Sequence, residues 1–192
     1  MRFEFRPNKW FANEVLEKKF WHRQSKMGSI LVSEPVKVDW KKGQDLTSGL
    51  TDGAVELWKK AKDSESLEKL PEYKKLAKLL EEHDRASLSF FTLFAFVSEQ
   101  SYVTEEESKE NLSKQKEAQL KPESEEDVDN DLGAVMEETE KWQEVEVCPH
   151  GSDLAMVIAD DLWLNAIKYF GKSKKYYISI NISVQSFSNN LG

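Results

Sequence analysis

The sequence predicts an α+β domain in which an antiparallel β-sheet is backed by helices. Three observations lead there: short alternating runs of apolar and polar residues before residue 41, helical apolar stripes after residue 50, and one almost wholly apolar run, 88–97, that only a central element could hold. In the first strand, Arg2-Phe3-Glu4-Phe5-Arg6, residues of opposite character alternate. Residues 15–22 predict a second strand, Ile30-Leu31-Val32 a third, and Val36-Lys37-Val38-Asp39-Trp40 a fourth, with Pro7, Gly28, Pro35 and Gly43 as punctuation. Spacings this short make an antiparallel meander the simplest topology, and one face of it then needs a cover. Helices supply the cover. Asp52 is placed to cap one whose Ala54, Leu57, Trp58 and Ala61 share a stripe, and Pro71 to start another carrying Tyr73, Leu76, Ala77 and Leu80. Ser152, with Asp153, is read as the cap of a further helix bearing Leu154, Val157, Ile158 and Leu162, then a rotated stripe of Trp163, Ala166, Ile167 and Phe170. The stretch 176–187 is β-prone, uncharged and free of proline, which suits either an added strand or a tail produced by a misread exon end.

Composition bounds the function. The 192 residues are 39% hydrophobic, with 6 Trp, 10 Phe and 5 Tyr, so a core can be buried. Formal net charge is −8, from 35 acidic and 27 basic residues, which argues against binding nucleic acid through the chain as a whole, and no sequence-specific nucleic-acid contact is expected. The charge is concentrated. Residues 105–146 hold 16 acids and 5 bases, a net of −11, leaving 19 acids and 22 bases, or +3, for the rest. Large apolar residues are sparse there, so the segment reads as a mobile acidic insertion, removable without loss of fold, within a domain spanning residues 1–170, with 171–192 as an atypical β-prone tail. Such a stretch is either a solubilising loop or an interaction segment. A single cysteine and three scattered histidines do not make the usual zinc sites, and no cofactor is expected. Run 88–97 is half of the roughly 20 residues a spanning helix needs, and the start lacks an apolar signal core, so a soluble intracellular protein without membrane contact is expected.

Candidate chemistry is thin. Cys148, His150, Ser152 and Asp153 crowd together in sequence, but a nucleophile needs a base and an orienting group in space, and no other sequence feature supplies them. Asp160-Asp161 could suggest a metal pair, yet adjacent helical residues point about 100° apart, and a solvated or partner-facing helix edge explains them. The aromatic pairs Trp10-Phe11, Phe20-Trp21 and Phe90-Phe91 are not interleaved with a basic stripe, so core packing accounts for them. The chain is not expected to be an enzyme.

At four places the residues go beyond fold class. Residues 7–20, Pro-Asn-Lys-Trp-Phe-Ala-Asn-Glu-Val-Leu-Glu-Lys-Lys-Phe, resemble the strand-turn-strand opening of the nucleosome assembly protein (NAP/SET) family. Residues 38–47, Val-Asp-Trp-Lys-Lys-Gly-Gln-Asp-Leu-Thr, are similar to that family's Trp-Lys-x-Gly-x-Asp-Leu-Thr segment, residues 89–94 to its Ser-Phe-Phe core helix, and residues 160–170 to its final helix. Ile30-Leu31-Val32-Ser33-Glu34-Pro35 together with Pro149-His150-Gly151-Ser152 is closest to the SET/fungal branch. The resemblance covers residues 2–99 and 148–170.

It implies a histone chaperone with an earmuff domain, a sheet backed by helices with an acidic underside for histones, paired in the family through a long N-terminal helix. That helix does not precede the first strand here, so the family homodimer is not expected and this chain should be monomeric, weakly self-associating or aggregation-prone. The family's acidic C-terminal tail is replaced by the β-prone segment, which moves the acid to the insertion. A shortened member, or a gene reading that omits the first exon and misreads the last, would each account for these departures. The implied partners are core histones, as the tetramer-forming pair, the dimer-forming pair or both, in the nucleus with shuttling to the cytoplasm. Histone contacts are expected from Glu105, Glu106, Glu107, Glu123, Glu125, Glu126, Asp127, Asp129, Asp131, Glu137, Glu138 and Glu140 in the insertion, and by motif position from Thr92, Asp160 and Asp161. The rival reading is a non-catalytic scaffold that docks a chromatin enzyme such as a histone acetyltransferase.

Overall fold

The computed structural model describes residues 1–62, 64, 66–82, 89–120, 139–172 and 181–183. Strands come first. Strand β1 (Arg2–Glu4) pairs antiparallel with β2 (Val15–Glu17) in a register that sets Phe3 opposite Leu16, the buried position of each strand. Strands β3 (Phe20–Ser25) and β4 (Gly28–Ser33) form a hairpin closed by Lys26 and Met27, where Ser25 Oγ donates to Gly28 O (2.9 Å) and accepts from the Met27 amide (3.1 Å). Gly28 adopts φ 131°, a conformation that side chains resist. After the helices, β5 (Asn181–Ser183) pairs antiparallel with β1, so part of the C-terminal stretch is an added strand.

The single meander is not what forms. Among the described residues two sheets appear, one ordered β2-β1-β5 and one β3-β4, because the strand expected over 15–22 breaks at Lys18-Lys19. Lys18 turns into the core, where its Nζ donates to Phe96 O (2.6 Å), Glu34 O (2.7 Å) and Phe94 O (3.3 Å). Residues 36–40 also form no ladder. They run extended between two neighbours, with Val36 N bonded to Phe94 O (2.7 Å), Ala12 N to Asp39 O (2.9 Å), and an isolated bridge from Phe11 to Trp40.

Helix α1 (Leu50–Ala61) and helix α2 (Pro71–Glu82) carry their apolar stripes as the periodicity requires, burying Leu50, Ala54, Leu57, Tyr73, Leu76 and Leu80 in one cluster. Asp52 lies inside the first turn of α1 and does not cap it; the cap is Gly49 at φ 89°, whose amide donates to Asp45 Oδ2 (2.6 Å). The apolar run condenses into a 3-10 helix, Phe90–Ala95, capped by Ser89 Oγ on the Phe91 amide. It lies between the two cores. Leu93 and Phe94, both fully buried, join Phe3, Phe11, Leu16, Phe20, Val38 and Phe96, while Ala95 joins the α1–α2 cluster. Edge-to-face contacts tie Phe11 to Phe5, Trp40 and Phe91, so Phe11, Phe20 and Phe91 pack the core, while Trp10 and Phe90 are left half-exposed.

Residues 105–146, expected as one mobile acidic insertion, are helical over 105–120 and 139–144. Helix α3 (Glu105–Leu120) starts with a reciprocal cap: the Thr104 amide donates to Glu107 Oε2 (2.7 Å) and the Glu107 amide to Thr104 Oγ1 (3.2 Å). Ion pairs one turn apart, Glu105–Lys109 (2.7 Å) and Glu110–Lys114 (2.9 Å), continue it. Polar side chains also dock it, since Ser108 Oγ accepts from the Gln24 amide (2.8 Å) and Asn111 Nδ2 donates to Gln24 O (3.0 Å). A helix held this way leaves no apolar periodicity to read. At the other end, residues 139–144 are helical, and Val145 and Val147 are buried in the α1–α2 cluster with Trp142 packed against it. Tyr73 Oη lies 2.5 Å from Glu144 Oε2 and 3.0 Å from Lys141 O, and burial followed by Glu144 pushes the phenol's pKa up.

Candidate functional site

Two acidic features face solvent. On α3, Glu105, Glu106, Glu107 and Glu110 are exposed, and Glu105 stands 4.0 Å from Arg23 on β3. Lys109 lowers the Glu105 carboxyl's pKa by hydrogen bond and charge, and Lys114 does the same for Glu110. Glu140 is exposed in the return helix. Glu123, Glu125, Glu126, Asp127, Asp129, Asp131, Glu137 and Glu138 lie outside the described residues.

The second feature is the C-terminal helical segment: α4 (Gly151–Val157), a π-helical stretch (Ile158–Leu162) and α5 (Ala166–Lys172). Its inner side sets Ala155 and Ile158 into the sheet core. Gly151 fits because a Cβ there would collide with the Phe96 ring. Outward it presents Asp153 and Asp160 among the exposed apolar residues Met156, Val157, Trp163, Leu164 and Ile167, with Ile167 90% exposed. Trp163, Ala166 and Ile167 of the rotated stripe therefore face away from the described core. Asp161 is engaged by its own segment, accepting from Asn165 Nδ2 (2.7 Å) and Tyr169 Oη (2.7 Å).

Thr92 needs correction as a contact residue. It is buried, and its hydroxyl donates to Ser89 O (2.8 Å), so it braces the 3-10 helix. Ser152 is corrected too. The helix cap position is His150, while Ser152, one residue inside the helix, donates to the Glu99 carboxylate. The group of residues that invites a nucleophile reading diverges in space. Cys148 is buried and its thiol's pKa is pushed up by that burial; His150 is exposed, with Nδ1 3.8 Å from Asp153 Oδ2. Among the described residues no group of three His, Cys, Asp or Glu side chains could hold a metal ion, and no helix is long and apolar enough to cross a membrane.

One acidic group was passed over in sequence, where the body outside the insertion sums to a positive charge. Asp52 is half-buried, and its carboxyl's pKa is raised by that burial and then by Asp45, with Glu56 and Asp39 adding to it and Lys37 opposing. Asp39 and Asp45 fall in the segment 38–47 that resembles a family motif, and that was the available signal. An open cleft of about 280 Å³ lies between the β3–β4 turn and α3, lined by Lys26, Tyr102, Glu107, Glu110, Asn111 and Lys114 among others. Its charges balance.

A family model described as Nucleosome assembly protein (NAP) matches residues 1–173. No curated protein and no solved structure matches the chain.

Proposed function

The chain belongs to the nucleosome assembly protein (NAP) family, whose general role is histone chaperoning, and from that premise we propose that it binds core histones through two acidic surfaces of unlike character. The observation that carries this reading is the family match over 1–173 combined with exposed carboxylates on α3 and on the outer face of the C-terminal helices. Histones present dense Lys and Arg, and a chaperone must hold that charge without trapping it. Each solvated ion pair contributes only about 0 to 1 kcal/mol, but many together give avidity and fast, salt-sensitive exchange. In this reading Glu105, Glu106, Glu107 and Glu140, with the acids of 121–138, supply long-range attraction. Asp160, set among Met156, Trp163, Leu164 and Ile167, supplies close contact to a partner surface that is both basic and apolar. Assignment to the SET/fungal branch, a nuclear location and the choice between the two histone pairs belong to the same proposal. The exposed apolar residues of the C-terminal helices also favour a second reading, a scaffold that docks a histone acetyltransferase or similar enzyme.

Titration of both core-histone complexes across a salt series separates the roles. Replacing 121–138, which holds 8 acids and 1 base, by a short Gly/Ser bridge should weaken histone binding roughly tenfold near physiological salt and flatten its salt dependence. Asp160→Lys should weaken binding with less change in slope. Failure of the intact chain to bind either histone complex, with capture of an acetyltransferase instead, would establish the scaffold reading.

A further inference from the structure

Two loops that lie thirty residues apart in sequence share one surface. Asn8 Oδ1 accepts from the amides of Trp10 (3.0 Å) and Phe11 (3.1 Å), fixing the first loop as an Asx turn. The second loop is bonded to it: Lys41 N donates to Trp10 O (2.8 Å), and Lys41 Nζ donates to Asn8 O (2.5 Å). Arg6, Lys9, Trp10, Lys41 and Lys42 are all exposed on these loops. Trp10 is 39% exposed, with Lys9 Nζ 5.1 Å from the ring centroid. The nearby acids are engaged. Asp39 accepts from Asn13 Nδ2 (3.2 Å) and lies 3.6 Å from Lys37, while Asp45 accepts from the Thr47 amide and hydroxyl and from Gly49. Four exposed cations on the loops that carry a half-exposed indole, one of them over an indole face, make an unusual surface on a chain of net charge −8.

We propose that this patch binds single-stranded nucleic acid without sequence preference, its phosphates on Lys9, Lys41 and Lys42 with Arg6 alongside, and one base stacked on Trp10. Cations alone would suit any polyanion. The indole decides, because an unpaired base offers a face for stacking, whereas an acidic peptide leaves the ring bare and a duplex keeps its base faces inside the stack. Ordering costs little, since the two loops are already bonded to each other. None of the residues assigned to histone contact takes part, so this proposal stands or falls apart from that one.

The test is fluorescence anisotropy of a labelled oligothymidylate of about 12 nucleotides with the full chain at low salt. Binding is expected, with a salt slope near −2 to −3, the value for about three or four phosphates on a single strand. Trp10→Ala should weaken it about fivefold or more. Lys41→Glu with Lys42→Glu should weaken it further and flatten the slope, and Lys42→Glu alone serves if the pair fails to fold. The charge-matched control on α1, Lys59→Glu with Lys60→Glu, should leave binding unchanged. No binding by the wild type overturns the proposal. It is also overturned if a blunt duplex binds as tightly with no effect of Trp10→Ala, if a polyglutamate peptide competes equally well, or if the control reversal costs as much as the patch reversal.

Discussion

Lys18 is the costliest residue in the core to desolvate and among the best satisfied. Its ammonium is fully buried and hydrogen-bonded to the carbonyls of Glu34, Phe94 and Phe96, and burial pulls its pKa well below the usual lysine range against the opposing pull of Cys148 and Glu34. Lys18→Met would remove the donor that three carbonyls share, of which Phe94 O keeps the Val36 amide, a loss partly offset by no longer burying a charge, and should lower unfolding free energy by about 2 kcal/mol in urea titrations. The pH dependence has a definite sign. Since the folded pKa lies below the unfolded value near 10.5, the unfolded chain holds the extra proton between the two, so the lysine's contribution grows as pH rises through that window. The gap between wild type and Lys18→Met should therefore widen toward pH 10.5, and a gap that narrows would refute this account. None of it is legible in sequence, where Lys18 sits beside Lys19 in a strand-like run and two of its acceptors lie more than seventy residues away. Thr92 shows the same limit from the other side, because motif position locates it but cannot tell that its hydroxyl is spent on Ser89 O.

Elements were legible where apolar residues make them. Phe3 and Leu16 face inward as alternation requires, and Pro71 begins α2 with Tyr73, Leu76 and Leu80 buried. They were illegible where polar side chains do the work. Helix α3 has no apolar stripe; its one sequence signal is Thr104 followed three residues later by Glu107, a reciprocal cap hidden inside an acidic run. Its docking rests on Ser108 and Asn111, which satisfy both backbone groups of Gln24 at the outer edge of β3. Ser108→Ala with Asn111→Ala should thus speed hydrogen exchange at the Gln24 amide about tenfold while α3 keeps its helicity. Unchanged exchange at Gln24 would mean that the helix is held by something else. The strand over 36–40 failed for a related reason: its backbone groups are taken by Ala12 and Phe94 rather than by a continuous partner strand.

Across the described residues, both ends of the acidic stretch dock on the fold. Its return end places Val145 in the cluster of Leu57, Tyr73 and Leu76 with Trp142 packed against it, a contribution that net charge and sparse apolar residues did not reveal. Deleting 105–146 should therefore cost about 3 to 5 kcal/mol of stability, whereas bridging 121–138 should leave the urea midpoint nearly unchanged. Equal midpoints for the two deletions would show that the return end packs less firmly than its burial implies. Chain order gives Lys18 one more consequence. Its acceptors lie 16, 76 and 78 residues further along, so while the chain is being synthesised the paired strands emerge long before Phe94 and Phe96 exist to receive the ammonium. Throughout that interval the ammonium at the end of β2 has no buried acceptor from Phe94 or Phe96, so that core can close only once the chain past residue 96 is made.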